Sequence, residues 1–179
     1  DDHGTRFFPY FKPGWDPELL LGQNCVGHLS VYRRLLLTEI GGFRPSLEGA
    51  QNYDLTLRAS RRTHRSKIHH IPAILYHWRL LRGAKFTETQ LHQCVAASRR
   101  AIEDHVAALP EGRGATVVPH PSAPNFHRVL WPLPQTLPKV SVVIPSRNRS
   151  ELLAKCVEGL LNNTEYDNLE IIIIDNGSD

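Results

Sequence analysis

At 179 residues, with 41 % hydrophobic and 22 % charged side chains, the chain has the make-up of a globular protein and not of a disordered tail. A net charge of +3 is too small to mark a nucleic-acid binder, and no aromatic-basic interleaving supplies one, so no nucleic-acid partner is expected. No apolar run approaches the roughly 20 residues that span a bilayer, and no stretch reads as a secretory signal. Three widely spaced cysteines, Cys25, Cys94 and Cys156, form neither a disulfide framework nor a C-x-x-C metal motif. Set among apolar neighbours, they read as buried, inert thiols of a reducing cytoplasm. The chain contains no Met, which suggests a piece of a longer protein.

In chain order, Pro17-Glu18-Leu19-Leu20-Leu21 predicts a short helix, with Pro at a position where its missing N–H costs nothing. Gly27 to Arg33 alternates loosely and reads as a strand, followed by a short helix stopped at Gly41-Gly42. Ala50 to Arg62 has the i,i+4 spacing of a helix. Ile68 to Trp78 is rich in β-formers, with Pro72 confining it to an edge or a bulge. The strongest helix spans Thr87 to Leu109, with Leu91, Val95, Ile102, Val106 and Leu109 in one stripe. Arg99/Glu103 and Arg100/Asp104 are expected as outward i,i+4 pairs. A stiff, Pro-rich connector follows, in which Phe126 to Trp131 has the pattern of one strand.

The last 40 residues are the clearest. Val140-Ser141-Val142-Val143-Ile144 and Leu169 to Ile174 read as buried strands flanking a helix with Leu153, Cys156 and Leu160 on one face. Asn148 and Glu151 have capping-box spacing at the start of that helix. Strand, helix and strand form a βαβ unit, hence a parallel sheet. In such sheets ligands gather at the carboxyl ends of the strands, which here carry Pro145-Ser146-Arg147-Asn148 and Asp175-Asn176-Gly177-Ser178. An Asp there can accept hydrogen bonds from a base or ribose, and the Asn-Gly turn lets backbone approach a ligand. Alone, the same residues are equally a capped turn.

Together, VSVVIPSRNRSELLAKCVEGLL…LEIIIIDNGSD resembles the N-terminal segment of family 2 glycosyltransferases of the GT-A fold. The resemblance implies nucleotide-sugar contacts at Pro145, Ser146, Arg147, Asp175, Asn176 and Gly177. The front of the chain, from PYFKPGWDPELLLGQNCVGHLS to HIPAILYHWR, resembles the C-terminal half of such a domain in multidomain enzymes that build O-antigen or rhamnan-like polysaccharides. The long helix and Trp131-Pro132-Leu133-Pro134 match the join between their two domains. The implied fold is α/β, of nucleotide-diphospho-sugar-transferase, Rossmann-like type. Residues 1–85 would close a first domain, 86–138 would be helix and connector, and 139–179 would open a second.

Residue roles follow by position. The acidic catalytic motif of the family falls on Gln51-Asn52-Tyr53-Asp54-Leu55, which puts Asn52 where the general base is expected. An amide orients a hydroxyl but does not take its proton, and a general base is worth roughly 10²–10⁴-fold. Asp54, two residues on and about 200° round a helix, reads as an ion pair with Arg58 on the helix surface and not as a replacement base. Gly27, His28, Gly42 and Phe43 match segments lining the donor-sugar and acceptor pocket, although the glycines also suit plain turns. His77 matches a position that helps a D-x-D motif hold the metal. That motif would lie just before Asp1, leaving Asp1 and Asp2 in the turn after it. The resemblance thus implies an inverting transferase using Mn²⁺ or Mg²⁺, a nucleotide-sugar donor and a glycan or lipid-linked glycan acceptor. It would work in the cytoplasm, with peripheral association at the inner face of the membrane as a further expectation. Arg58, Arg61, Arg62, His64, Arg65 and Lys67 are a solvated basic face on the plain reading and an attraction for a lipid diphosphate on the functional one. The competing expectation is a catalytically degenerate module that, with Asn52, only binds or positions a partner.

Overall fold

The computed structural model describes residues 6–79 and 87–179. The chain is mixed α/β, with five α-helices and two separate two-stranded sheets among the described residues. It divides into a first unit ending at Pro132 and a second from Leu133 to Asp179.

In the first unit, α1 (Pro17–Gly22) starts with Pro17 in its first turn, and Asp16 caps it by accepting a 3.0 Å hydrogen bond from the Leu19 amide. Helix α2 (Arg34–Glu39) ends at Gly41 and Gly42, both with positive φ, as the glycine pair predicts. Helix α3 (Gln51–Arg61) and the 20-residue α4 (Glu88–Ala107) carry most of the packing. Thr87 and Gln90 close a reciprocal capping box at the start of α4. Strands β1 (Thr116–His120) and β2 (Ala123–Leu130) form an antiparallel hairpin with an irregularity at Pro119/His120.

The core gathers Leu20 and Leu21 of α1, Leu47 of the Pro45–Leu47 turn, Tyr53 and Leu57 of α3, and Ala97, Ala101, Ile102 and Val106 of α4. Ile102 is 0 % exposed, and burying a side chain of that size contributes roughly 1.5–3 kcal/mol. The Tyr53 hydroxyl reaches the Leu20 carbonyl, so even the polar atom in this core is satisfied. Gly49, at φ +85°, brings the turn before α3 against Cys94; a Cβ there would stand 2.3 Å from the sulfur. Helix α4 is therefore half of a core, and the residues after it make a hairpin, where the sequence suggested helix and connector.

In the second unit, β3 (Val140–Ser146), α5 (Ser150–Asn163) and β4 (Leu169–Asp175) form the expected parallel βαβ unit. At its amino end the Tyr166 hydroxyl donates to the Pro138 carbonyl at 2.5 Å and the Asn168 amide to the Leu137 carbonyl at 2.9 Å. The strands are not the buried runs their composition suggests: Val143 and Ile173 are about half exposed, because a single helix and a single neighbouring strand cover little of each.

Several local expectations fail. Residues 27–33 and 68–78 form no strand among the described residues; without a neighbour to pair with, extended β-formers have no ladder. Asn148 is no helix cap, because its φ of +51° is left-handed where a cap needs extended backbone, and Arg149 takes that place without a side-chain bond. Asp104 pairs with Arg44 and not with Arg100, which donates to the Ser46 carbonyl at 3.2 Å. Leu91 stays outside the core. Of the thiols only Cys25 is buried; Cys156 is exposed. No helix among the described residues is long and apolar enough to cross a membrane.

Candidate functional site

The parallel register of β3 and β4 sets Pro145 beside Ile174 and Ser146 beside Asp175. Six candidates proposed from widely separated sequence positions, Pro145, Ser146, Arg147, Asp175, Asn176 and Gly177, thus meet at one carboxyl edge. The Asn176 amide donates to the Ser146 carbonyl at 2.8 Å, which prolongs the ladder past the last strand pair. Asp175 folds the following turn onto itself: the Ser178 amide donates to both its carboxylate oxygens at 3.2 Å, and the Ser178 hydroxyl donates to one of them. These bonds from Ser178, side chain first and backbone second, hold the Asp175 carboxyl below the usual carboxylate range. It is an exposed, ionised acceptor. Gly177, at φ +73° with open space beside its Cα, leaves the backbone accessible.

Asn148 laces the two loops together, a feature the sequence did not single out as a site. Its backbone amide donates to the Ser178 hydroxyl at 3.0 Å, its side-chain carbonyl accepts from the Asp179 amide at 2.9 Å, and its NH₂ donates to the Asp179 carboxylate at 3.3 Å. The signal was a left-handed-tolerant Asn facing a D-N-G-S turn, which only the register makes adjacent.

In the first unit the candidates fall into two groups. Asp54 is 1 % exposed, so the Asp54–Arg58 pair is present but buried, not on the helix surface as expected. One carboxylate oxygen accepts from Arg44 at 2.5 Å and the other from Arg58 at 2.7 and 2.9 Å. Arg44, a residue with no distinguishing sequence signal, also reaches Asp104 on α4 at 2.7 Å. Arg58 in turn donates to the carbonyls of Ile40 and Gly42, each at 2.5 Å, so Asp54 and Gly42 belong to one network. Asn52 is partly buried on the other side of α3, its backbone carbonyl accepting from the Thr56 hydroxyl at 2.8 Å.

The second group is aromatic. His28 stacks on Tyr76 at 5.2 Å between ring centroids and meets Trp78 edge-on at 5.4 Å, so the 27–28 turn lies against the segment bearing His77. His77 itself is exposed. No group of three His, Cys, Asp or Glu side chains among the described residues is placed to hold a metal ion, and Asp1 and Asp2 lie outside the described residues. The described residues therefore do not by themselves fit a metal centre.

Residues 141–179, the βαβ unit and its laced loops, match the family model for glycosyl transferase family 2. Over that segment the chain is similar to glycosyl transferase family 2. Over nearly its whole length the chain is also similar to two longer proteins. One is the uncharacterized protein y4gI of Sinorhizobium fredii, 42 % identical over 98 % of this chain. The other is the O-antigen biosynthesis protein RfbC of Myxococcus xanthus, 38 % identical over 99 % of it. The chain spans 19 % and 14 % of the lengths of these relatives. No solved structure matches it significantly. Within the segment that the family model matches, the β3–β4 edge presents an ionised acceptor, an exposed arginine and an open glycine on one rim.

Proposed function

We propose that this chain is part of a glycosyltransferase that moves a sugar from a nucleoside-diphosphate donor to a hydroxyl of a cell-surface glycan, and that the β3–β4 edge receives the nucleotide. The observation that carries this reading is the pairing of Ser146 with Asp175, laced through Asn148 and Ser178, at the carboxyl end of a parallel βαβ unit. Asp175, kept ionised, accepts from the N–H of a base or from ribose hydroxyls, and Arg147 faces the diphosphate charge. The printed name of the Myxococcus relative supports a glycan of the O-antigen class as the product. The same proposal includes a GT-A, Rossmann-like architecture split between two domains, a glycan or lipid-linked acceptor, and inversion in a single displacement with no covalent intermediate. Work at the inner face of the membrane is also part of it. For a divalent Mn²⁺ or Mg²⁺ ion the proposal assigns His77 as no more than one ligand.

The test is calorimetric titration of the chain with UDP-, dTDP- and GDP-sugars, with and without Mn²⁺. Weak binding by one donor class is expected, weakened roughly 10-fold or more by Asp175→Asn, the scale of losing a hydrogen bond to a charged group. Equal affinity of wild type and Asp175→Asn would remove the nucleotide from this edge.

One observation favours a second reading, a degenerate domain that only binds or positions a partner. Both oxygens of Asp54 are engaged by arginines, and Asn52 is an amide, so the Gln51–Leu55 motif presents no free carboxylate to act as base. In the parent protein, Asn52→Asp raising turnover by roughly 10²-fold or more at unchanged donor affinity supports the enzyme. Undetectable turnover with both residues supports the degenerate module.

A further inference from the structure

We infer that segments 6–12, 26–38 and 61–79 of the first unit form a face that lies on an anionic lipid surface; this rests on the inner-face part of the proposed function and gives it a place on the molecule. The three segments hold nine of the chain's 21 Lys and Arg residues and not one of its 18 Asp and Glu residues. A net charge of +3 thus conceals a cationic part and a remainder that is net acidic. Spread evenly, +3 would attract little; gathered into segments that touch, the same cations set up a field that draws anions.

The segments do touch. The Lys12 ammonium donates to the Val26 carbonyl and, at 2.6 Å, to the His28 carbonyl, which ties the first segment to the second. The turn it holds is built from both sides: the Gly27 amide donates to the Asn24 side chain and the Ser30 hydroxyl to the Gly27 carbonyl, each at 3.0 Å. His28 then stacks on Tyr76 and meets Trp78 edge-on, joining the second segment to the third. Lys12 and Arg61 direct their donors at backbone carbonyls, which leave the positive charge in place. Arg62 stands 3.8 Å from Glu39 in solvent, too loose a pair to cancel it.

Among these cations stand apolar side chains that the core does not take up. Phe8 is 89 % exposed, Phe11 74 %, Val31 87 % and Trp78 67 %. Rings and aliphatic groups interspersed with Lys and Arg are the composition of a surface that rests in the headgroup layer, where the apolar groups enter the acyl boundary and the cations meet anionic headgroups. The same facts disfavour two other occupants. A second copy of this face would set cation against cation. A nucleic acid would take the charge but leave Val31 and Leu35, which have no ring to stack on a base, in water.

The test is co-sedimentation of the full chain with vesicles of phosphatidylcholine alone and of phosphatidylcholine with about one quarter phosphatidylglycerol, the anionic lipid being expected to tighten binding roughly 10-fold or more. Arg33→Gln combined with Arg34→Gln is expected to weaken binding to the anionic vesicles by roughly 10-fold, and Phe8→Ser combined with Phe11→Ser by a similar factor. Arg99→Gln, outside the three segments, should leave it unchanged. Vesicles with brominated acyl chains should quench the tryptophan fluorescence, and Trp78→Phe should lose most of that quenching. All the substituted positions are exposed, so the Ile102 amide should keep its protection throughout. Wild type that stays in the supernatant with both vesicles overturns the inference together with the inner-face reading. Binding that neither pair of substitutions weakens overturns this face alone and leaves that reading standing. Binding that the arginine pair abolishes, the phenylalanine pair spares and a mixed-sequence RNA matches overturns it as well, because a bare polyanion site would suffice.

Discussion

Around Ile102 side chains from α1, α3 and α4 close completely, whereas Val143 and Ile173, mid-strand in β3 and β4, stay about half exposed. The two regions are equally regular in backbone, so regularity is not what separates them. Helices that present one apolar stripe each can shut a core among three or four elements. A parallel pair needs cover on both faces, and one helix supplies part of one. The candidate sites divide the same way. The network of Asp54 depends on packing, because it joins α3, α4 and the turn after α2. The edge at Ser146 and Asp175 depends on register, because two loops are brought together by strand pairing alone.

The sharpest way to break this contrast is at the network. Asp54→Ala leaves the Arg44 and Arg58 guanidinium groups facing each other without the carboxylate between them. It is expected to cost about 3–5 kcal/mol in urea unfolding of the first unit, the range for removing one partner of a buried ion pair. Next comes the core. Ile102→Ala is expected to cost about 2–5 kcal/mol, and Ile144→Ala in β3 less than half as much, since less area and a smaller cavity are involved. Equal effects would show that the two regions are packed alike.

Acid sharpens the comparison further. His105 and His127 are buried in the first unit, and burial, helped by Arg61 and Arg99 respectively, pushes both imidazoles below their ordinary pKa. His105 has a ring nitrogen 3.0 Å from the Leu57 carbonyl, while neither ring nitrogen of His127 has a partner. As pH falls through about 6.5 the unfolded chain takes up protons before the folded one, so the first unit loses stability from there downward and none above it. Unfolding midpoints measured from pH 7.5 to 5 should show that slope, and His127→Leu should flatten it. The second unit has no buried histidine and should keep its amide protection over the same interval. The smallest effect is expected on the outside of α4, where Arg99 and Glu103 stand 3.8 Å apart in solvent: Glu103→Gln should change stability by less than about 0.5 kcal/mol.

Local chemistry was legible in the sequence to the extent that it is local. Pro17, the Gly41-Gly42 stop, the periodicity of α3 and α4 and the β-α-β order of the last 40 residues each act within one element, and each element formed where the pattern placed it. The Asp54–Arg58 pair was legible too, because i,i+4 neighbours meet on any helix. What residues 27–33 and 68–78 would do was not, since a strand exists only with a partner. Nor was the burial of Asp54: the sequence offers Arg58 but gives no sign that Arg44 and Asp104 arrive from other elements to complete it. At the β3–β4 edge the sequence alone named Ser146 and Asp175, and a strand end is a strand end in any setting. Tertiary structure decided that they are side by side and that Asn148 turns left-handed to join the loops instead of capping α5. The physical reason is the same throughout: periodicity and caps are set by residues within about four positions of one another, whereas register, burial and charge pairing are set by residues 10 to 60 apart, whose meeting depends on how the whole unit packs.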